Sequence, residues 1–198
     1  MIPRKIMYES DKGKLYDHFL VDIIDHDRYL RFGYYPTNDN VTKYLDSAFE
    51  DFGKTNMWFI VEDNNEVVGS VHVSIGVKGK AEMGFTVSPD YRGRGLGQDL
   101  FQRAATWAMM KGATTLFTQC LSENQVMQHI AKKNGMTVVT VGYGEKEASV
   151  QATKGTIRAF YDDRMFDNLS FVDMAITKQF GLFKTLDRKS TRLNSSHT

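Results

Sequence analysis

The chain reads as an α/β protein: a mixed, largely antiparallel sheet flanked by helices, with a helical segment appended near its C-terminal end. Three observations predict this. Short apolar, β-branched runs joined by tight turns fill residues 57–87. A Gly/Arg-rich turn, Tyr91–Gln98 (YRGRGLGQ), then opens a stretch with helical apolar spacing. A strand–helix–strand order follows over 115–141, and the alternation suits one layered domain.

Taken in order, the first fifty residues are mostly helical. Leu15, Phe19, Ile23 and Ile24 can share one face. Val41, Tyr44, Leu45, Ala48 and Phe49 recur on a second helix, with Asn38 or Asn40 as its cap. Met57–Glu62 and Val67–Ile75 flank Asp63-Asn64-Asn65, a hairpin signal. A turn over Gly76–Lys80 feeds a third strand, Ala81–Val87, closed by Ser88-Pro89-Asp90. From Gly97 onward Leu100, Phe101, Ala104, Ala105 and Ala108 mark a long helix. Past Gly112, Thr115–Cys120 is a short strand. Ser122-Glu123-Asn124 caps a helix carrying Val126, Met127, Ile130 and Ala131, which stops at Asn134-Gly135. Met136–Val141 and a last strand around Ser149–Thr153 complete the sheet. Thr156–Lys184 is amphipathic and helical, broken near Asn168-Leu169-Ser170. It extends a 1–155 domain to residue 186, and its apolar face needs the sheet or a second copy, a homodimer contact, to cover it.

A chain of 198 residues can bury a sizeable core, and 41% hydrophobic with 25% charged residues is ordinary for a globular protein. A net charge of +1 gives no case for nucleic acid or an anionic membrane as partner. Cys120 is the lone cysteine, so no internal disulfide and no cysteine-rich metal site is expected; a reducing cytoplasmic setting fits. No run approaches the roughly 20 apolar residues of a membrane span, and MIPRKIMYESDKGK lacks a signal-peptide core. The last residues, Asp187–Thr198 (DRKSTRLNSSHT), resemble the translation of a common sequencing adapter and are set apart as a non-native tail. Its Arg188, Lys189 and Arg192 outweigh Asp187, so the rest of the chain carries −1.

The stretch Tyr91–Gln98 carries the chemistry. Gly93, Gly95 and Gly97 let the backbone approach a ligand, free N–H groups at a helix start attract anions, and Arg92 and Arg94 add charge. Strand, turn and helix N-terminus together form a phosphate cradle. The Lys-Ser/Thr of a Walker loop is absent, and Gly93-x-Gly95-x-Gly97 is not the dinucleotide spacing.

The order Arg92-x-x-Gly95-x-Gly97, after AEMGFTV and before an Asn-to-Gly-Met segment, resembles the GCN5-related N-acetyltransferases over roughly residues 10–155. That resemblance implies acetyl-CoA as co-substrate, with Phe85, Val87, Arg92, Gly93, Arg94, Gly95, Leu96 and Gly97 holding pantetheine and pyrophosphate. Asn124 would contact the CoA arm; as a plain helix cap it could do both. DRYLRF resembles a segment of bacterial protein acyltransferases, making Arg28, Arg31, Tyr29, Phe32, Tyr34 and Tyr35 candidates for the acceptor wall. Alternatively Leu30 and Phe32 are core, and the arginines pair with Asp25 and Asp27.

Acetyl transfer needs an amine stripped of its proton, and a proton for the departing thiolate. Glu82, within AEMGF, resembles the family's base position; its plain alternative is a solvated Glu pairing with Lys80. Many relatives carry a donor tyrosine about five residues before the Gly that ends the second half. Here the count reaches Ala131, so Tyr143, His129, Ser122 or water must serve. His72, a lone strand histidine, ranks second as a base. A route through a Cys120 thioester is disfavoured, because a lone cysteine in an apolar strand is usually a buried small residue. The resemblance thus implies an N-acetyltransferase acting on a small-molecule or protein amine. The alternatives are a non-catalytic acyl-CoA-binding module or another nucleotide binder. Asp25, Asp27, Asp39 and Glu50 hint weakly at a cationic acceptor.

Overall fold

The computed structural model describes residues 1–7 and 9–151. The expected C-terminal helices, the dimer contact read from them and the polar tail lie outside the described residues. In order, the elements are β1 (Arg4–Lys5), α1 (Glu9–Asp17), a π-helical turn (His18–Asp22), α2 (Asp25–Phe32), α3 (Asn38–Ala48), β2 (Asn56–Asp63), β3 (Glu66–Ile75), β4 (Lys80–Val87), α4 (Leu96–Met110), β5 (Thr115–Leu121), α5 (Gln125–Lys133), β6 (Thr137–Gly142) and β7 (Glu145–Gln151).

One seven-stranded sheet runs β1-β2-β3-β4-β5-β7-β6. All its pairings are antiparallel except β4 with β5. Strand β7 lies inside β6 and starts at Glu145, earlier than the sequence suggests, because Tyr143-Gly144 turns the chain straight back. The hairpin turn bears out its sequence: Asn64 and Asn65 both take positive φ, which asparagine tolerates better than most residues.

Alternation along the strands divides the sheet into two faces. One face places Phe59, Val71, Val73 and Met83 under Leu100, Phe101, Ala104 and Ala108 of α4. The other places Trp58 and Ile60 under Leu15, Phe19, Val41 and Leu45. Each buried Val, Leu, Ile, Phe or Met side chain here stabilises the fold by about 1.5–3 kcal/mol. The N-terminal helices differ in detail from the expectation. Ile24 is exposed because the chain breaks there to start α2, so it does not share a face with Leu15 and Phe19. The cap of α3 is Thr37, whose hydroxyl accepts from the Asn40 N–H while the Asn40 side chain returns the bond. Among the described residues no helix is long and apolar enough to cross a membrane, and no cluster fit for a metal ion occurs.

Candidate functional site

The site begins where the sheet splits. Strands β4 and β5 pair only through Lys80↔Thr115, Ala81↔Leu116 and Glu82↔Phe117. Beyond that rung β4 runs on to Val87 and β5 to Leu121 without pairing with each other, each still bonded to its other neighbour. The facing backbone groups past Glu82 are left for an extended ligand to bond as an inserted strand would. Phe85, half-buried and stacked at 6.1 Å on Phe101, and Val87 line this stretch of β4.

The split leads to the turn before α4. Gly93 (φ +72°) and Gly95 (φ +86°) take the left-handed conformation, and Gly95 is the N-cap without a side-chain cap. Gln98 and Asp99 bond back to the Gly95 carbonyl at 2.9 and 3.1 Å. The N–H groups of residues 93–97 meet no acceptor among the described residues, so the helix start presents a run of free donors. Leu96 turns its side chain into the core and contributes backbone only. Gly97 has a packing role: a Cβ there would lie 2.7 Å from Ile130 Cδ1, so its absence lets α5 close on α4. Gln98 and Asn134 lock that contact with reciprocal amide bonds of 2.7 and 2.9 Å.

Both turn arginines sit beside this run, already engaged. Arg92 Nη2 pairs with Asp27 Oδ2 of α2 at 2.6 Å, and its Nε donates to the Val87 carbonyl. Arg94 donates to the Asp90 carbonyl at 2.8 Å and stacks over Tyr91, whose hydroxyl donates to Asp63.

Glu82, Gly84 and Thr86 share the face covered by α1–α3, opposite α4. Glu82 is exposed there, and no ion pair with Lys80 forms. Arg31 lies flat on Gly84 and bonds the Tyr44 hydroxyl, which contacts His72 Nδ1 at 3.1 Å. His72 stacks on Trp58 at 4.7 Å. Burial, then the Arg31 charge, push its pKa down to about 3, so it is neutral and unsuited to act as a base near neutral pH. Against the next part of β4, His18 of the π-helical turn is fully buried, with Nε2 2.9 Å from Thr86 Oγ1, itself 2.6 Å from Ser70 Oγ. Burial lowers the His18 pKa to about 4, partly opposed by a bond at the Val67 backbone.

At the far end of β5 an open pocket of about 380 Å³ is lined by Tyr29, Ser122, Glu123, Tyr143 and Glu145. Tyr143 stands fully exposed at the β6–β7 turn. Ser122 joins it here; His129 does not and is exposed on α5. Asn124 caps α5 through Oδ1, accepting from the Met127 N–H, which leaves its amide NH2 to donate elsewhere. Ala131, where the count seeks a tyrosine, is fully buried in the core. Cys120 is buried and burial pushes its thiol up, against a nucleophilic role. The expected pairing of Arg31 with an aspartate does not form; Arg28 contacts Asp25 at a loose 3.9 Å and donates to Asn38 and the Leu20 carbonyl. Sequence reasoning missed the Arg31–Gly84 contact, although a glycine inside a strand signals close approach.

Solved structures share the fold. The GNAT domain of S. lividans PAT matches with a TM-score of 0.65 at 20% identity, over 75% of this chain and 89% of that one. Spermidine N-acetyltransferase from Vibrio cholerae, in complex with CoA and spermine, matches at 0.58 and 16% identity over 77% and 96%. yncA from Salmonella typhimurium, with its cofactor acetyl-CoA, matches at 0.57 and 15% identity over 78% and 96%. No curated protein matches the chain. The model of the acetyltransferase (GNAT) family matches residues 21–136, and the chain belongs to that family.

Proposed function

We propose that the protein transfers acetyl from acetyl-CoA to a primary amine by direct attack within the split between β4 and β5. The observation that carries this is the continuity of the split with the free N–H run of residues 93–97. An extended thioester arm and a pyrophosphate fit those two features in that order. The backbone at Phe85 and Val87 would hold pantetheine. The turn Arg92, Gly93, Arg94, Gly95, Leu96 and Gly97 would hold pyrophosphate, and the Asn124 amide would reach the arm.

Glu82, exposed at the last rung, would take the ammonium proton directly or through water. The freed nitrogen lone pair attacks the carbonyl carbon, the carbon–sulfur bond breaks so that the thiolate leaves, and the nitrogen's second proton passes to that thiolate or to solvent. With a thiol pKa near 8–9, that sulfur needs little help, so Tyr143 or solvent suffices as donor. The acceptor is a small-molecule or protein amine.

A second reading, a non-catalytic acyl-CoA-binding module, is favoured by Ala131 standing where a donor tyrosine is expected. Thiol release from acetyl-CoA across a panel of amino acids, polyamines, aminoglycosides and peptides separates the two. Turnover that Glu82→Gln abolishes without weakening acetyl-CoA binding supports catalysis. Saturable acetyl-CoA binding with no turnover supports the module.

A further inference from the structure

We propose that Arg31 recognises the acceptor, and that the acceptor is an amine bearing a carboxylate close to the reacting nitrogen, an amino acid or a close relative. This rests on the acetyl-transfer reading and names its substrate class.

The Arg31 guanidinium occupies the space a side chain at position 84 would fill. A Cβ on Gly84 would lie 2.0 Å from Nη2, 2.2 Å from Cζ and 2.7 Å from Nε. Gly84 is two residues past Glu82, the last β4 residue bonded to β5, on the same strand face as that candidate base. The charge therefore sits beside the mouth of the split, on the face of the proposed base.

No carboxylate lies within ion-pair distance of Arg31 among the described residues. Among the described residues its Nε is buried without an acceptor, and its one hydrogen-bond partner is the Tyr44 hydroxyl. That phenol does not neutralise it. His72 is held neutral, so its Nδ1 can accept the Tyr44 proton, leaving the phenol oxygen to accept from Arg31 as an uncharged group. The rings of Phe32 and Tyr44, 5.3 and 5.2 Å from the guanidinium carbon, desolvate it further. The neighbouring arginines are answered: Arg4 by Asp11 and Glu62, Arg92 by Asp27, and Arg28 by Asn38 and a carbonyl. A half-buried cation with no carboxylate at ion-pair distance is costly unless a ligand supplies one, because Glu82 acts here only at longer range, through its charge on Tyr44. A planar, permanently charged guanidinium suits a carboxylate better than a point charge does.

The test compares amino acids with their decarboxylated amines and their amides. The wild-type full chain favours the amino acids in kcat/KM by at least about tenfold, and Arg31→Gln erases that preference through KM, with Arg31→Lys intermediate. Acetyl-CoA affinity stays unchanged in both variants, which also reports that they fold. Calorimetric titration of amino acids into the CoA-saturated protein gives a second readout, with binding that Arg31→Gln loses. Equal or better turnover of the decarboxylated amines overturns the proposal. So does a uniform loss of kcat in Arg31→Gln at unchanged KM, which would mark a group acting on the thioester carbonyl. Absence of amino-acid binding to a CoA-bound wild type overturns it as well. Failure of the folded protein to bind acetyl-CoA instead removes the acetyl-transfer reading itself.

Discussion

Arg92, in the turn that opens α4, is paired with Asp27 of α2 at 2.6 Å, and the aspartate is largely buried while the arginine is half exposed. Helix α2 thereby holds an arginine of the turn proposed to bind pyrophosphate. The same helix carries Arg31 onto Gly84 and Tyr29 beside Glu123. Helix α2 is thus anchored to both β4 and the turn before α4.

Removing the Asp27 charge frees Arg92 for a pyrophosphate. Asp27→Asn is expected to tighten acetyl-CoA binding by about 3- to 10-fold, measured by calorimetry. The pair is partly exposed, so the loss in folding stability stays within about 1 kcal/mol in urea titration. Unchanged or weaker acetyl-CoA binding would show that the pair does not restrain the arginine.

Position 97 tests the packing reading of that glycine. Gly97→Ala forces Ile130 Cδ1 aside and is expected to destabilise by about 1 kcal/mol. In an Ile130→Val background the clashing atom is gone, and the same substitution should stabilise by up to about 1 kcal/mol through helix propensity. Equal effects in both backgrounds, by denaturant unfolding, would refute the contact.

His18 and His72 make stability depend on pH. Both are neutral in the fold, with pKa lowered to about 4 and about 3, chiefly by burial. Below the ordinary value near 6.5 the unfolded chain takes up protons that the folded one refuses, so stability rises with pH between about 4 and 6.5. Acidifying from pH 7 to pH 5 is expected to cost up to about 2 kcal/mol for each histidine. Unfolding curves of wild type and His18→Asn across that range should show a shallower slope in the variant.

Much of this molecule is legible in its residues. The hairpin about Asn64 and Asn65, the strand into Ser88-Pro89 and the helix after Gly95 depend on local turn chemistry and periodicity, and all fall where those rules place them. The break at Ile24 was hidden, because an apolar residue at helical spacing looks the same whether the helix continues or ends. The extent of β4–β5 pairing, the face taken by Glu82 and the contact of Arg31 with Gly84 are tertiary facts. They depend on which elements pack together, and a strand's alternation gives its two faces without saying which meets a cleft. The pairing of Arg92 with Asp27 was equally closed to inspection, the partners lying 65 positions apart.

Calorimetric titration of acetyl-CoA into the full chain, beside an Arg92→Ala, Arg94→Ala double variant, tests the central claim most directly. The split strands and free N–H run predict binding in the micromolar range that the variant weakens at least about tenfold. A folded wild-type protein that takes up no acetyl-CoA would contradict the account.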